Sequence, residues 1–330
     1  MPVRAGGGRY PLAGRATMNT MIRSHVGLLQ VSAAGILWGT GGLAVTLLHE
    51  RDGLGAMTVS AWRMILAAAA LIGFAVLARR SGAVLATLRA HPVLAITVGC
   101  GTAVYQGLYF VSVLLAGVSV ATVISLGLAP VLAAVWEHLR ARTRPSPREL
   151  VVLAAALAGL ALVSVFAGHG SAAPGDRPGL GLLLAVAAGV IYAATTVLGH
   201  TLAQRADPIA LNTCATTAGA VLLSPFLIAA ALTGDPVAGS SAGSLALLAY
   251  LGIATMALAY GLLYAGLRTT SGSAATVATL LEPVAAALLA ALLLGERLPW
   301  PAWLGGALIL AAVAALRPAP EPASPAPVPA

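Results

Sequence analysis

Long apolar runs alternate with short polar stretches along almost the whole chain. The first five apolar runs cover residues 26–48, 57–78, 92–115, 118–138 and 149–167, and the second five cover 179–201, 209–232, 244–267, 271–294 and 300–316. A helix needs about 20 apolar residues to cross a bilayer, and in lipid its backbone must form its hydrogen bonds within the segment. The pattern therefore predicts an all-α integral membrane protein with ten transmembrane helices.

The second five runs repeat features of the first five. Three stretches match at an offset of 153–155 residues: Ala34–Gly39 with Ala188–Ala193, Tyr105 and Tyr109 with Tyr260 and Tyr264, and residues 121–130 with residues 274–283. Because each half has an odd number of spans, the two halves would lie in opposite orientations across the membrane. The sequence therefore predicts two inverted five-helix repeats, an architecture in which secondary transporters hold their substrate near the midplane, between the repeats.

The repeat divides the chain into five parts. They are an Arg-rich N-terminal extension (1–24), the first five-helix repeat (25–167), an extracytoplasmic linker (168–178), the second five-helix repeat (179–316) and a Pro-rich cytoplasmic tail (317–330). The extension lacks the apolar core of a signal peptide. Alternation of Pro with Ala, Ser and Val is typical of an extended, disordered tail.

Composition excludes a soluble domain and bears on how the net positive charge is interpreted. Charged residues make up 8% of the chain, against about 25% in soluble proteins, and hydrophobic residues make up 59%. All 18 basic residues are Arg and the net charge is +8, but the arginines lie between apolar runs rather than on one face of a domain. The positive charge therefore does not indicate nucleic-acid binding.

The arginines predict the orientation of the chain in the membrane. Fourteen lie in the segments on the N-terminal side of the membrane, whereas the opposite loops hold three, Arg51, Arg177 and Arg297. Loops rich in Arg face the cytoplasm. The bias is strong in the first half and weak in the second. Together with a composition typical of GC-rich bacterial coding, it predicts a multi-pass inner (plasma) membrane protein with both termini in the cytoplasm.

Several of these positions resemble a known family. The residues that carry the resemblance are Trp38-Gly39, Arg63, Pro130, Glu282-Pro283 and Gly295-Glu296-Arg297. With the ten spans, they resemble the EamA-type family of the drug/metabolite transporter superfamily over about residues 27–316. The resemblance implies a ten-helix inverted-repeat transporter, commonly an exporter of amino acids or other small metabolites, that works by alternating access. One position departs from the family: Thr143 stands where an acidic residue matching Glu296 is common.

Glu282 is the deepest acidic residue of the predicted spans. If its helix begins near Ser271, a rise of about 1.5 Å per residue places Glu282 about 17 Å into the membrane. A carboxylate at that depth is costly and faces a cavity or a partner. Its counterpart in the first half is Ala129, so the repeat supplies the titratable group only once. We therefore predict that Glu282 is the proton-coupling carboxylate; a structural hydrogen bond to a neighbouring helix is the alternative.

Two prolines mark the same predicted midplane. Pro130 and Pro283 occupy matching positions of the fourth and ninth spans, and each removes a backbone donor. Matched interruptions in two halves point to a transporter binding site. Kinking for helix packing is the alternative interpretation.

Aromatic residues with polar tips recur around these positions. Tyr105, Gln106 and Tyr109 lie close together on the third span, and Tyr260 and Tyr264 repeat the pair of tyrosines on the eighth. Such rings suit a cavity for small amphipathic substrates. The alternative is an aromatic belt at the membrane surface, which stays open for Tyr260 and Tyr264 because they lie toward the cytoplasmic end of their span.

Trp38 and Tyr192 correspond in the first and sixth spans. Both lie within frames of small residues, Gly35/Gly39 and Gly189/Ala193, that allow helices to approach closely. We predict packing for the small residues and a cavity-lining role for the two rings. Arg63, about six residues into the second span, is expected to bury its stem and extend its head to the outer surface. A role as counter-ion for a substrate carboxylate is the alternative.

Motifs for catalysis and cofactors are weak. Cys100 and Cys214 lie inside apolar runs and are interpreted as small buried hydrophobes, and the histidines lie near span ends or in loops. Residues 239–243 fit G-x-S-x-G but lie in a Ser/Gly-rich loop without a preceding strand. We therefore predict no enzyme activity, no cofactor and no metal.

The function predicted from the sequence is that of a secondary transporter. It would export amino acids or other small amphipathic metabolites, with the small-molecule substrate and the lipid bilayer as partners and no nucleic acid. An intramembrane enzyme and a non-transporting scaffold or sensor are the alternatives. Transport would be driven by a proton gradient or by the gradient of the substrate itself. The sequence leaves open which substrate is carried, the direction of transport, the choice between these two driving forces and the oligomeric state.

Overall fold

A computed structural model describes residues 12–167, 177–293 and 297–316, with side chains from residue 25 onward. The predicted Pro-rich tail, most of the predicted linker, and Gly295 and Glu296 lie outside the described residues. Regular structure in the described ranges is helical. The helices are α1 Leu12–Asp52, α2 Ala56–Leu77, α3 Ser81–Ala90, α4 Pro92–Ala116, α5 Val118–Ala141, α6 Pro147–Phe166, α7 Pro178–Ala203, α8 Pro208–Thr233, α9 Ala242–Gly252, α10 Ala259–Gly266, α11 Gly272–Ala278, α12 Leu281–Leu293 and α13 Trp300–Ala315.

Nine helical segments of the described chain are long and apolar enough to cross a membrane. They correspond to the first nine predicted runs, with α9 and α10 forming one segment and α11 and α12 another. The tenth run forms α13, a shorter apolar helix of 16 residues. Helix α3 was not predicted from the sequence because it is only 10 residues long and lies in the polar connection between two spans.

Local sequence explains where several helices begin. Proline stands in the first turn of α4, α6, α7, α8 and α13, where its missing N–H is not needed. Ser146 and Glu149 form a capping box at the start of α6. Asp207 caps α8 by accepting hydrogen bonds from the backbone N–H groups of Ile209 and Ala210, at 3.1 and 3.2 Å.

Small residues bring the helices into backbone contact. A Cβ atom on Gly99 of α4 would meet the backbone of Ala215 on α8. Gly159 of α6 and Gly305 of α13 face each other, and a Cβ atom on either would meet the carbonyl oxygen of the other. Because lipid provides no hydrophobic drive between helices, such close contacts supply the packing energy.

Two spans in the second half are irregular. Between α9 and α10 the backbone forms a π-helix over Ile253–Leu258, and between α11 and α12 the helix is interrupted at Thr279 and Leu280. Helix α5 in the first half, by contrast, runs unbroken through Pro130. Pro130 therefore lies within a continuous helix, whereas the break in the second half lies at Thr279 and Leu280, just before Pro283.

Candidate functional site

Two pairs of aromatic rings lie where helices of the first and second halves meet. Tyr105 of α4 stacks on Tyr192 of α7, with ring centroids 4.9 Å apart and planes inclined by 21°. Trp38 of α1 packs on Tyr260 of α10, also with 4.9 Å between centroids. We call these four residues the aromatic cluster. All four were singled out from the sequence, and the structure brings them together.

Tyr109 and Tyr264 extend the cluster along their helices. The ring of Tyr109 lies 6.1 Å from that of Tyr105, and the ring of Tyr264 lies 6.0 Å from that of Tyr260. The side chain of Tyr264 is only 3% exposed, so it packs inside the bundle rather than in a belt at the membrane surface. The hydroxyl of Tyr109 forms a 2.8 Å hydrogen bond with that of Thr122 on α5.

The two irregular spans anchor rings of the cluster. Trp38 donates from Nε1 to the carbonyl oxygen of Thr255, in the π-helix, at 2.9 Å. The hydroxyl of Tyr192 lies 3.0 Å from that of Thr279, at the interruption before α12. A π-helix often marks a functional site because it leaves backbone groups available to side chains. Thr255 and Thr279 were not predicted, since isolated threonines in apolar runs carry no distinctive sequence signal.

Little free space remains inside the cluster. Two internal cavities of about 10 Å³ each lie side by side, and both are lined by Thr102, Tyr260 and Tyr264. The first also touches Tyr105 and Tyr192. A cavity of this size holds about one water molecule, whereas sites for small ligands occupy about 300–1,000 Å³. A substrate could therefore enter only after the helices move apart.

Glu282 lies in the first turn of α12, directly after the interruption. Its side chain is partly buried and interacts electrostatically with Arg63 and with the tyrosines of the cluster. Across the described residues its carboxylate accepts no hydrogen bond and forms no ion pair within 4.0 Å. The structural hydrogen bond to a neighbouring helix, considered from the sequence, is therefore not formed among these residues.

The head of Arg63 was expected at the membrane surface, but it lies inside the bundle. Its Nη2 donates to the hydroxyl of Thr255 at 3.1 Å and approaches the sulfur of Met256 at 3.7 Å. Its Nε atom is buried and has no partner among the described residues. The expectation was wrong because the acceptor that holds the head inside the bundle lies 192 residues further along the chain.

The remaining candidates occupy different environments. Gln106 is 6% exposed, and neither atom of its side-chain amide has a partner in the described part of the chain. Pro283 is the third residue of α12, where no backbone N–H is needed, and the carbonyl of Thr279 instead accepts from the N–H of Glu282 at 2.9 Å. Pro283 thus follows the interruption, whereas Pro130 lies within a continuous helix.

Comparison with known proteins gives consistent matches. A model of the EamA-like transporter family matches residues 25–165 and again residues 179–317. An uncharacterized transporter, YwfM of Bacillus subtilis (strain 168), is 29% identical over 301 residues, covering 91% of this chain and 96% of its own. An uncharacterized inner membrane transporter, YicL of Salmonella typhimurium (strain LT2), is 26% identical over 288 residues, covering 87% and 93%.

A similar fold has also been solved. One structure, described only as the crystal structure of a protein, superposes with a TM-score of 0.70 at 20% sequence identity. The superposition covers 90% of this chain and 96% of the other.

Proposed function

The chain belongs to the EamA-like transporter family and is a membrane transporter, and from this premise we propose that it exports amino acids or other small amphipathic metabolites. Transport would cross the bacterial inner membrane by alternating access. The observation that carries the proposal is the aromatic cluster, which joins helices of both halves beside a carboxylate without a hydrogen-bond partner in the described chain. Family membership favours this function over the enzyme and the scaffold.

Two inverted repeats, residues 25–167 and 179–316, with α13 as the tenth span, are part of the proposal. Contacts at matched positions support it. A Cβ atom on Gly35 would meet the backbone of Thr279, and a Cβ atom on Gly189 would meet the backbone of Ser125. The two contacts correspond, because Gly189 lies 154 residues after Gly35 and Thr279 lies 154 residues after Ser125. The two ring pairs of the cluster correspond in the same way, and the family model matches each half.

Side-chain contacts on both sides of the cluster support alternating access. On one side, Asp52 at the end of α1 accepts a hydrogen bond from the N–H of Ser240 at 3.0 Å, and Trp62 donates to the carbonyl of Val237 at 2.6 Å. On the opposite side, Glu137 of α5 accepts one from the N–H of Ser273 at 3.0 Å. We propose that these sets of contacts open in turn, so that the substrate meets one side of the membrane at a time.

The orientation follows from the arginine distribution. Both termini would be cytoplasmic, with residues 1–24 and 317–330 flanking the repeats on that side and the 168–178 and 233–243 loops outside. Single cysteines introduced on a background lacking Cys100 and Cys214 test this with an impermeant reagent in intact cells. Labelling within residues 233–243 and protection within 140–147 are expected. Labelling within 140–147 would contradict the orientation.

Glu282 would couple transport to protons. The groups that face it are Arg63 of α2, Tyr105 and Tyr109 of α4, Tyr192 of α7 and Tyr260 of α10. A tyrosine hydroxyl ordinarily has a pKa of about 10, so it keeps its proton near neutral pH and does not exchange it there. The carboxylate is therefore the group best suited to exchange a proton with either side as the site opens. Pro130, Pro283 and Gln106 would line the same path.

Flux through the purified protein tests the function directly. The full chain is reconstituted in liposomes loaded with a panel of labelled amino acids and small aromatic amines. Release is compared with that from protein-free liposomes loaded with the same compounds. We expect saturable release of at least one amphipathic compound and its loss in Trp38→Ala. Release no faster than from protein-free liposomes for every compound would contradict the proposal.

A further inference from the structure

Arg63 keeps most of its hydrogen-bonding capacity unused inside the bundle. A guanidinium carries five N–H donors in a planar fork. In the described residues only Nη2 has partners, the hydroxyl of Thr255 and the sulfur of Met256, while Nε is buried without one. Both partners are neutral. The hydrogen bonds that hold the cation in place thus bring no negative charge into contact with it.

The carboxylate of Glu282 interacts with Arg63 without forming an ion pair. Arg63 interacts electrostatically with Glu282, Tyr105 and Tyr260, yet no ion pair within 4.0 Å joins it to Glu282 in the described chain. A charge in the interior of a membrane protein is costly without a close partner. A ligand that brings an anionic group to the free side of the guanidinium would remove this cost.

The other half carries no charge at the positions that correspond to Arg63. At the offsets of 153–155 residues that relate the halves, Arg63 falls on Thr216, Thr217 or Ala218, which are all neutral. The hydroxyl of Thr216 donates to the side-chain oxygen of Asn212 at 3.0 Å. Thr216 lines the cavity beside Tyr260 and Tyr264. The same place in the scaffold is therefore filled once by a small neutral residue and once by a cation.

We infer that Arg63 recognises a carboxylate of the transported substrate, while the aromatic cluster contacts the apolar part of the same molecule. A guanidinium binds carboxylate and phosphate alike. A single cation facing Glu282 favours the carboxylate, because a doubly charged phosphate would meet repulsion from Glu282 without a second positive group. The inference rests on the proposed function and adds the charged group that the substrate must carry.

Pairs of compounds that differ only in the carboxylate test the inference. Uptake of labelled phenylalanine, leucine and tryptophan is measured in proteoliposomes and compared with uptake of their amides. Hydrogen bonds between charged groups justify an expected preference of about tenfold or more for the acids in the wild type. In Arg63→Gln the acids should lose this advantage, whereas uptake of the amides should not fall, because they have no carboxylate for Arg63 to bind. Arg63→Lys should keep part of the preference, because a lysine retains the charge without the planar fork.

A structural role predicts a different pattern. If Arg63 only balances the charge of Glu282, Arg63→Gln should lower the thermal stability, the double variant with Glu282→Gln should restore it, and the preference for acids should not change. An unchanged preference in Arg63→Gln overturns the inference, as does a wild type that transports amides and acids equally. In both cases the transporter function stands. Absence of uptake for every probe also overturns the inference, and it contradicts the proposed function only if the release panel contains no transported compound either.

Discussion

The first and second halves of the chain share a framework of close contacts but differ in the helices around the aromatic cluster. Tyr105 and Pro130 belong to continuous helices, α4 and α5. Their counterparts Tyr260 and Pro283 follow a π-helix and a helix interruption. The charged residues of the interior, Arg63 and Glu282, likewise have neutral counterparts. We therefore expect the shared contacts to build the scaffold and the departures from them to mark where binding and movement are concentrated.

The irregular spans keep their structure through side chains from other helices. In the π-helix, the carbonyl of Thr255 accepts from Trp38 at 2.9 Å and that of Ala257 accepts from Asn212 at 2.7 Å. Side-chain hydrogen bonds of this kind can be exchanged one at a time, whereas a continuous helix must break its own backbone bonds to bend. We therefore expect the second half to rearrange at lower cost than the first.

Glu282→Gln tests the largest difference between the halves. The amide keeps the shape of the side chain but cannot exchange a proton, so accumulation driven by a pH gradient should be lost completely. Substrate binding and exchange across the bilayer should persist. Proteoliposomes with an imposed pH gradient measure the first, and counterflow of labelled substrate measures the second.

Glu149→Gln provides the matched control. Its carboxylate belongs to the capping box at the start of α6, which a glutamine can also complete, so transport should not change. Full pH-driven accumulation by Glu282→Gln would assign Glu282 a structural role. A wild type that shows no pH-driven accumulation would also contradict coupling.

Glycines at matched positions test what the halves have in common. Gly99 lies against the backbone of Ala215, and its counterpart Gly252 lies against α2 at Leu66 and the carbonyl of Arg63. Valine at either position must displace backbone, so each substitution should destabilise the protein by about 1–3 kcal/mol. Gly73→Val should be tolerated, because a Cβ atom at Gly73 would meet nothing within 4 Å in the described part of the chain. Thermal unfolding of the detergent-purified variants measures the effect, and a large loss in only one of the matched pair would show that the scaffold is not shared.

Tyr105→Ala and Tyr260→Ala compare the two sides of the aromatic cluster. If both rings contact the substrate, each change should lower flux by about tenfold, equivalent to 1.4 kcal/mol, with expression and thermal stability close to the wild type. Tyr105→Phe keeps the ring and should retain most of the flux. Loss of a ring that serves only packing should instead destabilise the protein by about 3–5 kcal/mol. A destabilised variant, or normal flux, would assign the ring to packing.

The sequence predicts the spans well because apolar length alone determines them. Helix α2, for example, covers Ala56–Leu77, one residue from the predicted 57–78, and α4 begins at the predicted Pro92. Tyr105 and Tyr260 can likewise be recognised in the sequence, because each begins a pair of tyrosines four residues apart, and Tyr192 can be recognised because it matches Trp38. Hydropathy averages over a helical turn, however, and cannot detect the interruption at Thr279. The side chain of Arg63 points into the bundle because it donates to Thr255. This partner lies far away in the sequence and comes close to Arg63 only when α2 packs against the eighth span.

The smallest expected effect concerns the hydrogen bond that ties the interruption to the cluster. Thr279 shares its hydroxyl with Tyr192 at 3.0 Å and donates to the carbonyl of Thr276 at 2.9 Å. Its counterpart Ser125 donates to the carbonyl of Ala121 at 2.6 Å, within a continuous helix. Thr279→Val keeps the volume but leaves the hydroxyl of Tyr192 without this partner, at an expected cost of about 1 kcal/mol.

That cost should appear at the interruption rather than across the molecule. Loss of the bond frees α11 and α12 to move relative to α7, so amide hydrogen exchange should accelerate in peptides covering residues 272–293. Ser125→Ala removes a hydroxyl that only reinforces its own helix, so exchange in α5 should change little. Equal acceleration in both variants, or in neither, would mean that the interruption is no more mobile than the continuous helix opposite it. The contrast between the two halves would then be one of shape alone, and the lower cost of rearrangement assigned to the second half would be wrong.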